Sequence, residues 1–204
     1  MKSIAWMAAA FSLQLALAIG VLKLIALLDH TYKCMVDKTT AGVLTAGCCA
    51  GVGVIFRNCP QGPPMLWFVY SVLAVYLTIC VLTDLRACVV YDFLQLPGAM
   101  AGVLLCISRP LPAGIGAGLV LFALLQYLLF GRLYGIGDAM VFQVCSLYLA
   151  GRGGDLRTFL LHMALAFVLL GIVQSFRRNI NKRGNLKTPV PFVPYIACSL
   201  LWFL

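Results

Sequence analysis

The chain has 204 residues, 63% of them hydrophobic and only 10% charged, with a net charge of +9. A soluble domain keeps nearer a quarter of its residues charged to meet water, so this composition excludes an ordinary soluble fold. The positive balance does not point to nucleic acid either. Five of the 15 basic residues (Arg177, Arg178, Lys182, Arg183, Lys187) share one segment without interleaved aromatic platforms, and loop cations in a membrane protein set topology and meet anionic headgroups.

In chain order, apolar runs between charged or Pro/Gly breaks predict helices over 4–28, 40–56, 64–83, 93–108, 111–131, 137–151, 157–176 and 189–204. A helix needs about 20 apolar residues to cross the hydrocarbon core, and in lipid its backbone must bond within itself. The expected fold is therefore all-α, a polytopic membrane bundle of about eight transmembrane helices. The first run has Lys2 ahead of it but is too long for a signal peptide's apolar region, and Lys23-Leu24-Ile25 is no small-residue cleavage site. It is expected to be retained as a helix. The run after Asp138 reaches a full crossing only if it begins near Tyr134. The breaks at 29–39 and 177–188 are too short to hold a second domain.

Basic residues suggest an orientation. Alternating spans put 29–39, 84–92, 132–136 and 177–188 on one side, with nine cations against five (Lys2, Arg57, Arg109, Arg152, Arg157) on the other. An excess of Lys and Arg marks the cytoplasmic side, so both termini would face outward.

Six of the nine cysteines lie inside apolar runs, where Cys acts as a small hydrophobe, and no C-x-x-C pair occurs. No metal and no cofactor are expected. His30 and His162 are lone histidines, read as packing or interfacial residues. Gly114, Gly116 and Gly118, within an apolar run, are read as close helix packing.

The acidic residues are few enough to take singly: six aspartates and no glutamate. Asp29, Asp37 and Asp155 stand in loops beside Lys or Arg and read as solvated charges. Asp84 closes the apolar run Leu77–Thr83, where a negative charge meets the unfavourable end of a helix dipole near the hydrocarbon edge. Such a charge needs a partner or a task. Asp138 follows Gly135-Ile136-Gly137 at the head of a later span, on the same side and at similar depth in this topology. Two carboxylates meeting in a half-dry site share one proton, so that one acts as base on water and the other as acid toward an amide oxygen. Gly135 and Gly137 remove bulk, so that an extended peptide could approach the backbone. They are the candidate substrate-binding residues, together with Asp92.

These residues resemble the type IV prepilin peptidases and the related archaeal preflagellin peptidases, both GxGD-type membrane aspartyl proteases. Thr83-Asp84-Leu85-Arg86 through Asp92-Phe93-Leu94 is similar to the first motif of that family, Gly135-Ile136-Gly137-Asp138 to the second, and Val190-Pro191-Phe192-Val193-Pro194-Tyr195 to its closing segment. The resemblance covers about 66–204. It divides the chain into two N-terminal helices over 1–63, outside the match, and a six-helix core over 64–204. It implies cleavage of the short basic leader from prepilin-like or pseudopilin precursors at the cytoplasmic face of the plasma membrane, with Asp84 and Asp138 as catalytic residues. Tyr91, Met140 and Val193 depart from the usual pattern of Pro, Lys and Gly. The 29–39 gap leaves no room for the cytoplasmic domain of larger members, so neither methyltransferase activity nor zinc is expected. The expected partners are the precursor and the bilayer.

Two other readings use the same residues. Tyr91-Asp92 with a later GxGD also resembles the presenilin-like proteases, which would pair Asp92 with Asp138, although no Pro-Ala-Leu stretch follows. In that comparison Asp92 otherwise caps the helix beginning at Phe93. A proton- or cation-coupled transporter would call for an acidic residue in mid-span, and every aspartate here stands at a span edge. An inactive relative that only holds precursors has the same sequence features.

Overall fold

The computed structural model describes residues 2–29, 37–58, 64–109, 111–130, 134–180 and 190–204. Lys33, Arg132, Lys182, Arg183 and Lys187, which carry much of the predicted charge bias, lie outside them, as do His30, Cys34 and Cys59. The described residues form eight α-helices and no strand: α1 (Lys2–Leu28), α2 (Lys38–Asn58), α3 (Pro64–Ala87), α4 (Asp92–Ser108), α5 (Ala113–Leu125), α6 (Ile136–Gly151), α7 (Leu156–Ile180) and α8 (Val193–Phe203). A π-helical turn, Gln126–Phe130, extends α5. The all-helical expectation holds.

Four helices are long and apolar enough to cross a membrane: α1, α2, α3 and α7. The other four are shorter, with 17 residues in α4, 16 in α6 and 11 in α8. The last of these begins four residues later than its apolar run. Pro191 and Pro194 explain the delay: the chain enters α8 through a non-helical Val190–Phe192, and proline is accommodated only in the first helical turn. At α3 the deviation is the reverse. The helix runs on to Ala87, so Asp84 lies within its last turn, not at its end.

Successive helices alternate in direction. At one end Asn58 Nδ2 and Arg152 Nη1 donate to the Leu204 carbonyl at 3.1 and 2.6 Å. At the other, the last turn of α3 meets the starts of α2 and α8, and the segment after it meets the start of α6. This second end carries the candidate site.

Helices α3 and α6 form the centre, and α4 packs against both. Glycines on α4 allow the approach. A Cβ at Gly98 would lie 3.0 Å from the Tyr76 ring of α3, and one at Gly102 only 2.8 Å from Leu147 Cβ of α6. Small residues let helices pack closely where lipid supplies no hydrophobic drive between them. The α5 glycines behave differently from the sequence reading. A Cβ at Gly118 would meet Leu156 at 3.3 Å, but Gly114 and Gly116 face open space. Helices α1 and α2 pack on another side of α3, and α8 lies between α3 and α7.

Candidate active site

Asp84 is buried, with 5% of its surface exposed. Its partner is the start of α8: the Val193 N–H donates to Asp84 Oδ2 at 2.8 Å, and the Phe192 N–H is also turned toward the carboxylate. A helix N-terminus carries partial positive charge and unsatisfied N–H groups, so it compensates a carboxylate that sits at the wrong end of its own helix. The contact is made by the backbone, and the Val193 side chain is itself fully buried.

The entry to α8 is held by aromatic packing. Phe192 is 4% exposed and its ring lies 4.9 Å from Phe167, 5.7 Å from Tyr134 and 5.8 Å from Phe142. Deeper in, His162 is fully buried, with Nε2 at 3.2 Å from the Ile196 carbonyl and its ring edge-on to Phe142. Both contacts fit the packing role expected of it. The π-helical turn is anchored nearby: Tyr134 donates to Gln126 Oε1, and Gln126 Nε2 reaches Met163 Sδ at 3.1 Å. Together these contacts tie α6, α7 and the end of α5 behind the N–H groups that hold Asp84.

Asp138 is half-buried in the first turn of α6, where the helix dipole favours a carboxylate. It stands within electrostatic reach of Asp84. The structure therefore brings together the two aspartates singled out in the sequence, at the same end of the bundle. The Cys88 thiol lies within reach of both; burial first, then the two negative charges, push it above the ordinary thiol range.

The two glycines before Asp138 stand in different settings. Gly135 has φ +107°, a conformation that side chains rarely adopt, and it turns the chain into α6 at an exposed position. Gly137 faces the chain itself, because a Cβ there would lie 3.4 Å from Val90 Cβ. That is an ordinary contact, so α6 packs here on the segment after α3 without needing a glycine. Asp92 is exposed in the first turn of α4, one position inside the helix; Tyr91 occupies the cap position attributed to Asp92, and without a side-chain capping bond.

Two of the aspartates read as solvated loop charges are helix caps. Asp37 Oδ1 accepts from the Thr40 N–H at 2.8 Å and its hydroxyl at 2.7 Å, and Asp155 Oδ1 accepts from the same groups of Thr158 at 3.0 and 2.9 Å. The spacing D-x-x-T carried this signal in the sequence. Asp37 also pairs with Arg86 at 2.7 Å, and Asp29 accepts from the Tyr91 hydroxyl at 2.7 Å. These two contacts, like the Val193 N–H, join residues far apart in the chain and had no local signal.

No family model, curated protein or solved structure matches the chain.

Proposed function

We propose that the chain is an aspartic-type membrane endopeptidase of the prepilin leader peptidase kind. All eight helices are taken to span the plasma membrane, with the site facing the cytoplasm and the leader of a type IV prepilin or pseudopilin as substrate. One observation carries this reading: buried Asp84 and half-buried Asp138, from separate helices, stand within electrostatic reach at one end of the bundle. The resemblance of three motifs in family order adds the substrate class.

The contacts suggest a division of labour. Asp84, held by backbone N–H, is the ionised partner and takes a proton from water as the water oxygen attacks the scissile carbonyl carbon. Asp138 gives its proton to the carbonyl oxygen, forming a gem-diol. Asp138 then recovers a proton from one diol hydroxyl as the C=O bond re-forms. The C–N bond breaks, and the proton on Asp84 passes to the leaving nitrogen. Neither a metal nor a covalent intermediate is needed.

The test is to co-express the chain with candidate prepilins and follow leader loss on a gel. Asp84→Asn and Asp138→Asn are expected to abolish cleavage, with Asp92→Asn still active. Cleavage that survives either of the first two refutes the assignment, while loss at Asp92 and Asp138 alone selects the presenilin-like pairing. Proton-coupled uptake without cleavage would point to the transporter.

A further inference from the structure

Helices α1 and α2 have no part in the proposed chemistry, yet both ends of the segment after Asp84 are fastened to them. At the near end the Arg86 guanidinium, with 19% of its side chain exposed, pairs with Asp37 at 2.7 Å and bonds the Thr40 hydroxyl in α2. At the far end the Tyr91 hydroxyl donates at 2.7 Å to Asp29, which directly follows α1. Between these ties the chain turns at Cys88, whose φ of +51° is costly for a residue with a Cβ. It then brings Val90 under Gly137 in the first turn of α6.

This segment is the physical link between the two carboxylates. Asp84 precedes it in α3, and Asp138 rides on the helical turn that rests on Val90. An ion pair at a solvent-facing edge contributes little to stability, so its effect is to be sought in geometry. We infer that Asp37 and Asp29 are positioning residues: through Arg86 and Tyr91 they fix the segment 86–91, and with it the gap between Asp84 and Asp138. This inference rests on the reading of that pair as hydrolytic, and it gives the two N-terminal helices a task in the site.

The test uses the full chain with Asp37→Ala, Thr40→Val and Tyr91→Phe combined. Alanine at 37 and valine at 40 take away both oxygens that Arg86 meets in and before α2, and phenylalanine loses the hydroxyl held by Asp29 but keeps the ring that lies 5.9 Å from Phe93. The first readout needs no catalysis. The pH profile of Cys88 alkylation by iodoacetamide, followed by mass spectrometry, should move to lower pH as the thiol leaves the two carboxylates. The second is cleavage of a leader peptide: kcat should fall about tenfold or more with KM little changed, since a misplacement of about 1 Å can cost 10²-fold. Asp155→Ala, which removes a comparable cap at the opposite end of the bundle, should move neither readout.

An unchanged Cys88 profile overturns the inference whatever happens to kcat, and so does an equal shift in Asp155→Ala. A shifted Cys88 profile in a protein whose wild type cleaves no leader peptide upholds the positioning role and overturns the peptidase reading.

Discussion

The two ends of α8 solve the same electrostatic problem with opposite charges. At its N-terminus the backbone N–H of Val193 meets the buried carboxylate of Asp84. At its C-terminus the carbonyls of Phe203 and Leu204 meet the exposed guanidinium of Arg152 at 2.7 and 2.6 Å, and Asn58 adds a bond at 3.1 Å. Both arrangements follow the helix dipole. They differ in setting. Arg152 is solvated, whereas Asp84 is shielded and senses a second carboxylate. The Arg152 end is a structural clasp; the Asp84 end holds a charge where the proposed chemistry would use it. The same dipole contact therefore serves stability at one end and, under the proposed function, reactivity at the other, according to burial and to what stands beside it.

The largest effect should come at the N-terminal end. Asp84→Asn keeps an oxygen for the Val193 N–H, so the melting temperature should move little, while cleavage falls by about 10²–10⁴-fold, the usual contribution of a general acid or base. Loss of folding in place of activity would show that the contact is another clasp. Behind the aromatic cluster, His162→Ala should cost about 2–4 kcal/mol of stability by leaving a cavity between α6, α7 and α8, read by thermal unfolding in detergent.

Next come the glycines of the second motif. Gly135→Ala should cost about 1–3 kcal/mol for its positive φ and should displace Asp138. Gly137→Ala meets only an ordinary contact with Val90 and should fall within about 1 kcal/mol of wild type. At the C-terminal end Arg152→Met should lower stability by about 1 kcal/mol and leave kcat unchanged.

The smallest effect is a pH dependence. The Thr40 N–H and hydroxyl, and then Arg86, hold the exposed Asp37 carboxyl down to about 2. A carboxylate depressed on folding stabilises the fold above its unfolded value of about 3.9 and loses that contribution as pH falls toward 2. Melting temperature should therefore drop between pH 4 and pH 2, and Asp37→Asn should flatten that limb. An unchanged limb would remove Asp37 from the account.

Much of the site was legible because lipid leaves the sequence few choices. Apolar runs fix helices when the backbone has no other partner, and six aspartates with no glutamate made Asp84 and Asp138 conspicuous at span edges. The D-x-x-T caps at Asp37 and Asp155 were also readable, since their contacts are local. The remaining features depend on residues distant in sequence. Nothing near Asp84 announces that Val193, 109 residues away, supplies its hydrogen bond. Nothing in the first 63 residues announces that Asp29 and Asp37 would meet Tyr91 and Arg86. Nor could spacing tell that Gly135 is required by its backbone angle while a Cβ at Gly137 would meet Val90 only in ordinary contact. Composition and periodicity determined the helices and nominated the carboxylates. Which groups hold those carboxylates, and which side chains close on the segment between them, was decided by packing, because a hydrogen bond depends on distance in space and not along the chain.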